Sequence, residues 1–144
     1  MAWTVAVTYE GSSEWGVGQE QHVFKLACTS DGSSSGDQNL KTLIDATYPA
    51  QVAGAIKNNC ITGALAYAIK YVPDGTATPT SNPTVTVDDE TGGVILSKTF
   101  TAGTALAEPF SNTIGFSPPV NNVVVASTTL ANAKVASIYI YLIK

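Results

Sequence analysis

The chain has 144 residues, 44% hydrophobic and 12% charged, with a formal net charge of −4. This length suits one domain with a sizeable core; the hydrophobic share excludes a disordered chain, and low charge with abundant Thr, Ser and Asn favours β-strands over a helical bundle. There is no arginine, and Lys25, Lys41, Lys57, Lys70, Lys98 and Lys134 are dispersed singly, which argues against nucleic-acid recognition.

The start, MAWTVAVTYEG, lacks the basic region and long apolar core of a secretory signal. Within it, WTVAVTY alternates, with Trp3, Val5, Val7 and Tyr9 on one face and Thr4, Ala6 and Thr8 on the other, and predicts a strand. The glycine-bearing stretch EGSSEWGVGQEQ is expected to break it, which leaves residues 1–18 as a candidate N-terminal arm. HVFKLACT predicts a second strand. The polar loop SDGSSSGD follows, and Asp37 is placed to cap a short helix, QNLKTLIDA, with Leu40, Leu43 and Ile44 on one face. That helix should end before Pro49.

ALAYAIKYV predicts a strand with Leu65, Tyr67, Ile69 and Tyr71 toward the core and Ala64, Ala66 and Ala68 on the opposite side. It belongs to the most apolar window of the chain, ITGALAYAIKYV, which Lys70 interrupts well short of the ~20 residues that cross a bilayer; no membrane partner is expected. Pro73-Asp74-Gly75 is a turn signal. TVTVDDETGGVIL then predicts a hairpin, with Val85 and Val87 leading into an acidic Gly-Gly turn and Val94, Ile95 and Leu96 leading out. SKTFTAGT, NTIGF, VNNVVVAST and VASIYIYLIK are further strand-like segments. Short strands, frequent turn signals and one short helix in an insertion indicate an all-β fold, a single antiparallel β-sandwich over residues 1–144 of the jelly-roll or Ig-like kind.

The terminal strand breaks the usual alternation. Ile138, Ile140 and Leu142 form a core set, which leaves Tyr139, Tyr141 and Ile143 facing outward as a contiguous apolar patch. Such patches mark protein contacts, and tyrosine is enriched in them; the competing expectation is that a loop or the short helix of the same chain covers this face. Tyr139, Tyr141 and Ile143 are therefore the candidate docking residues, with Trp3 and Trp15 on the candidate arm.

Catalytic readings fare less well. GSSSG at residues 32–36 matches G-x-S-x-G with Ser34 as nucleophile, but the sole histidine, His22, precedes it, whereas that hydrolase order places histidine last. His22 has no second histidine with which to build a common metal site. Asp88-Asp89-Glu90 offers hard oxygens for Ca²⁺ without EF-hand spacing, and acids are ordinary in exposed hairpin turns. No P-loop or GxGxxG occurs, so no cofactor and no enzyme activity are expected. Trp15, in a glycine-rich loop, is the residue best placed to stack on a sugar, which keeps a carbohydrate-binding, lectin-like sandwich as the alternative. Cys28 and Cys60 read as reduced, buried thiols in a cytosolic protein, although a disulfide between abutting strands stays open.

The C-terminal two-thirds resembles the small β-sandwich virion proteins of tailed bacteriophages. The residues concerned are Gly63 and Leu65, Pro73 and Gly75, the segment from Pro79 to Asn82, Val85 to Asp89 with Gly92, and the closing strand from Ser137 to Leu142. The chain departs from that pattern in its first 18 residues and in the helix-bearing insertion around residues 37–46. The resemblance implies a non-catalytic structural role: a capsid decoration or cement protein, a head-fibre base, or a neck or tail component. It implies other virion proteins as partners, the major capsid protein or a neighbouring head or neck protein. A homo-oligomer is expected, made in the host bacterial cytoplasm and ending in the virion.

Overall fold

The structure, a computed structural model, describes residues 3–16, 19–30, 38–40, 42–43, 63–89, 91, 93–109, 120–126 and 134–143. Among the described residues nine strands follow in chain order: β1 (Trp3–Gly16), β2 (Gln19–Ser30), β3 (Gln38–Asn39), β4 (Leu65–Pro73), β5 (Thr84–Asp89), β6 (Val94–Thr99), β7 (Leu106–Pro109), β8 (Val120–Ala126) and β9 (Val135–Ile143). They form a five-stranded sheet in the order β1-β2-β9-β4-β7 and a four-stranded sheet in the order β3-β8-β5-β6. Every pairing is antiparallel. The fold is an all-β antiparallel sandwich.

The inner faces meet in one core. The five-stranded sheet contributes Phe24, Leu26 and Cys28 from β2, Ile138, Ile140 and Leu142 from β9, and Ile69 and Tyr71 from β4. Val85 and Val87 of β5 face them, and Phe100 and Leu40 are buried in the same cluster. Alternation with period 2 puts each set on one face, and burial of these apolar side chains supplies the dominant stabilisation. Tyr71 is the largest of them. Its ring stacks on Phe100 with centroids 5.3 Å apart and planes 26° apart, and its hydroxyl donates a 2.6 Å hydrogen bond to the Ala102 carbonyl. Ala102 N–H in turn donates to Asn82 Oδ1 at 2.9 Å, so both polar groups of this buried backbone unit are satisfied.

Four local expectations change. First, the glycine-bearing stretch does not end β1: residues 3–16, within the candidate arm of residues 1–18, pair with β2 along the edge of the sheet. Register shifts between Tyr9 and Gly11 and between Glu14 and Gly16 absorb the irregularity; such bulges let a strand pass through glycines and make its open edge a poorer template for pairing. Second, Gln38 and Asn39, expected inside the helix, form β3 against β8. Asn39 caps the short helical turn: its Oδ1 accepts the Thr42 N–H at 3.2 Å, and Leu40, Thr42 and Leu43 are helical. The described residues contain no longer helix, and Asp37 and Ile44 lie outside them.

Third, β4 does not alternate as its sequence suggests. A register shift between Ala66 and Ala68 inserts one residue at Tyr67, which exchanges the faces of the two halves. Ala64 and Ala66 are buried before it and Ile69 and Tyr71 after it, while Leu65 lies on the half-exposed outer side. Fourth, SKTFTAGT is not a separate strand. Ser97 to Thr99 complete β6, a turn follows with Thr104 N–H donating to the Thr101 carbonyl at 3.1 Å, and β7 supplies an edge strand beside β4. NTIGF lies outside the described residues.

Candidate functional site

The terminal strand β9 sits between β2 and β4 at the centre of the five-stranded sheet. A central strand has neighbours on both sides, so side chains on both faces are packed laterally, and an apolar outer face is tolerated there as it is not on an edge. Its buried set is Ala136, Ile138, Ile140 and Leu142, as the alternation predicts. Tyr139 and Tyr141 point outward and are half-buried. Ile143, expected beside them, is buried at 9% exposure. The outward set is therefore the two tyrosines, without the isoleucine.

The register shows what surrounds them. Tyr139 stands directly between Lys25 of β2 and Lys70 of β4. The Lys70 ammonium lies 5.3 Å and the Lys25 ammonium 5.8 Å from the Tyr139 ring centroid, both within cation–π range. The next row toward the C-terminus is Val23, Tyr141 and Ala68, and the row on the other side is Ala27, Ser137 and Val72. The outer face thus carries a cationic row around an aromatic ring, bordered by mainly apolar rows. The alternation of β9 made the tyrosines visible in the sequence; the two lysines were not, because only the pairing of β2, β9 and β4 places residues 25, 70 and 139 side by side.

Trp3 and Trp15 lie at opposite ends of β1, which pairs Trp3 with Ser30; their side chains lie outside the described residues, and so does Ser34. His22 is buried at 7% exposure on the inner side, opposite Leu142 of β9. Cys28 is a buried free thiol, and desolvation pushes its pKa up to about 12, which makes it a poor nucleophile. Cys60 lies outside the described residues.

The acidic hairpin turn is organised by its own chain. Asp89 Oδ1 accepts hydrogen bonds from Thr91 N–H at 2.9 Å, the Thr91 hydroxyl at 2.7 Å and Gly93 N–H at 2.9 Å. The Asp89 N–H donates to the Gly93 carbonyl at 2.8 Å. Asp89 thus acts as a turn-former, as aspartate side chains commonly do. No group of three metal-ligating side chains occurs among the described residues.

A small groove of about 220 Å³ opens beside the turn after β4, between Val72, Pro73 and Asp74 on one side and Val135, Ala136 and Ser137 on the other. Asp74 Oδ1 accepts from Ala77 N–H at 2.7 Å, Thr76 N–H at 2.9 Å and the Thr76 hydroxyl at 3.0 Å. Those bonds, Ala77 first, hold its carboxyl below the usual carboxylate range. Asp74 N–H also donates to the Val135 carbonyl at 3.0 Å, and Val135 N–H donates to the Ala77 carbonyl at 2.8 Å. Asp74 therefore builds the turn and joins it to the start of β9.

No family model matches the chain, and no curated protein does. Among solved structures, the chain is similar to the CBM22-1–GH10 modules of Clostridium thermocellum xylanase 10B at 16% identity and a TM-score of 0.33, over 99% of this chain and 26% of that one. The CBM22-1 xylan-binding domain of Paenibacillus barcinonensis Xyn10C gives 10% identity and a TM-score of 0.32, over 99% of this chain and 85% of that one. A chain of infectious bursal disease virus, Gt strain, gives 10% identity and a TM-score of 0.28, over 98% of this chain and 31% of that one. Likenesses this remote carry no argument about what the chain binds.

Proposed function

We propose that the chain is a non-catalytic docking protein of a tailed-phage virion, a capsid decoration, cement or other head-associated component. The observation that carries the docking reading is the outer face of the five-stranded sheet, where Tyr139 and Tyr141 stand half-buried on the central strand among Val23, Ala27, Ala68 and Val72. A mainly apolar surface with tyrosines at its centre and charge on one row has the anatomy of a protein contact. The virion assignment rests on the strand-and-turn resemblance in the C-terminal two-thirds of the sequence. The partners are then the major capsid protein or a neighbouring head or neck protein, together with further copies of the chain. The protein is made in the host bacterial cytoplasm and resides in the particle.

The alternative is a carbohydrate-binding sandwich, for which Tyr139 with its two flanking ammonium groups would serve as the sugar platform. Of the bordering residues only Ser137 and Tyr141 have a side-chain hydroxyl, and Val23, Ala27, Ala68 and Val72 around them are apolar, a mainly apolar border that favours a protein partner. Mass spectrometry of purified phage particles from the source of the sequence should find the chain. Added protein should sediment with particles lacking it, and Tyr139→Glu with Tyr141→Glu should abolish that sedimentation. Particles without the chain, combined with glycan binding lost on Tyr139→Ala, would overturn the reading in favour of the alternative.

A further inference from the structure

The outer face of the five-stranded sheet carries the Lys25–Tyr139–Lys70 row on a chain whose net charge is −4. Two ammonium groups share one ring, at 5.8 and 5.3 Å from its centroid. An anion seated between them would be attracted by both and would relieve their mutual repulsion. The row beside them, Val23, Tyr141 and Ala68, calls for an apolar group at the same time. The occupant that fits carries a carboxylate and an exposed apolar side chain next to each other.

The chain itself displays such an element. The β5–β6 hairpin ends in Asp88-Asp89-Glu90, and the register sets Asp88 directly opposite Val94. Val94 is 61% exposed, the most exposed of the large hydrophobics among the described residues. Asp89 is committed to the turn through its Oδ1, whereas Asp88 is half-buried on β5, on the side opposite the buried Val87 by the alternation of the strand. The hairpin lies on the four-stranded sheet, with β6 at its edge. The cationic row lies on the outside of the opposite layer, so the two surfaces of one copy face apart and can meet only between copies.

We propose that the chain self-associates head to tail, the β5–β6 hairpin of one copy docking on the Lys25–Tyr139–Lys70 row of the next. Asp88 sits between the two ammonium groups, and Val94 packs on the Tyr141 and Ala68 row. This rests on reading the outer face as a docking surface and names what docks there. The contact is heterologous, using two different patches, so it builds a ring if the rotation closes and a filament if it does not. Charge attraction across it weakens as salt rises.

The test is a charge swap, read as solution mass by light scattering over a dilution series. The wild type should gain mass with concentration, less so at high salt. Lys25→Glu with Lys70→Glu, and separately Asp88→Lys, should each weaken association by on the order of tenfold or more. The chain carrying all three substitutions should associate again, and so should an equimolar mixture of the two partial variants, which covers the case in which the triple variant fails to fold. A monomeric wild type would overturn the proposal, as would variants that lose association without regaining it in the swap and the mixture. If the monomeric protein still sediments with particles through Tyr139 and Tyr141, the docking reading stands while self-association falls. If it neither associates nor sediments, both fall. Binding of an acidic glycan, lost with Lys25→Glu and Lys70→Glu while the protein stays monomeric, would assign the row to a carbohydrate instead.

Discussion

Replacing Tyr71 with phenylalanine tests how the two sheets are tied to the loop after β6. The substitution keeps the ring, its burial and its stacking on Phe100 at 5.3 Å, and removes only the hydroxyl that donates to the Ala102 carbonyl at 2.6 Å. Ala102 is 6% exposed, so water does not readily replace the donor. Leaving a buried acceptor unsatisfied costs about 1–3 kcal/mol. The entropy of unfolding for a domain of this size converts a loss near 2 kcal/mol into a drop of about 7 °C in Tm. Urea unfolding followed by tryptophan fluorescence should show a lower midpoint with an unchanged m value, since the exposed surface is the same. Phe100→Leu, alone and combined with Tyr71→Phe, separates ring stacking, worth about 0.5–1.5 kcal/mol, from the hydroxyl. A loss below about 0.5 kcal/mol for Tyr71→Phe, the range of ordinary surface substitutions, would refute the reasoning.

Glycines at two turns should respond oppositely. Gly63 has φ of 82°, so Gly63→Ala should destabilise by about 1–2 kcal/mol in denaturant unfolding. Gly75 has open space around the position of a Cβ and lies outside the left-handed region, so Gly75→Ala should be neutral or stabilise by up to about 1 kcal/mol. At high pH the buried Cys28 thiol contributes stability that is complete below 9.0, its ordinary value, and is lost as pH rises toward about 12. Chemical-denaturation midpoints should therefore fall on that limb, and Cys28→Ala should flatten it; Tyr71, raised from 10.0 to about 12 by burial and then by Cys28, adds to the decline in the same direction. At low pH the sign reverses for Asp74: its lowered pKa gives stability present above 3.8 and lost as pH falls through its folded value, so Asp74→Asn should shrink the acid-limb slope.

How much of this was legible in the sequence depended on where the period of 2 survived. Val85 and Val87 on β5 and Ile138, Ile140 and Leu142 on β9 alternate without interruption, and the structure buries each of them. On β4 the same rule misassigned Leu65, Ala64 and Ala66, because one inserted residue at the bulge between Ala66 and Ala68 reverses the faces. Nothing in ALAYAIKYV marks that insertion locally; it follows from pairing with β9. The helix start was misplaced for a related reason. Gln38 and Asn39 find backbone partners on β8, and a tertiary pairing overrides local helical periodicity. The candidate site was half visible: Tyr139 and Tyr141 stood out on an otherwise regular strand, whereas the lysines beside them come from positions 25 and 70, joined only by strand order. Ile143 shares their parity, yet it is buried, because exposure at the end of a strand is set by neighbouring elements rather than by alternation.

The central claim is that the outer face of β9 is an assembly surface. Hydroxyl-radical labelling with mass spectrometric readout, on the dilute protein and on purified particles, addresses it residue by residue. The account predicts that Tyr139 and Tyr141 are modified in the dilute protein and protected in the particle, while solvent-facing positions away from the sheet, such as Thr76, are modified equally in both. Equal modification of the two tyrosines in both states would contradict it.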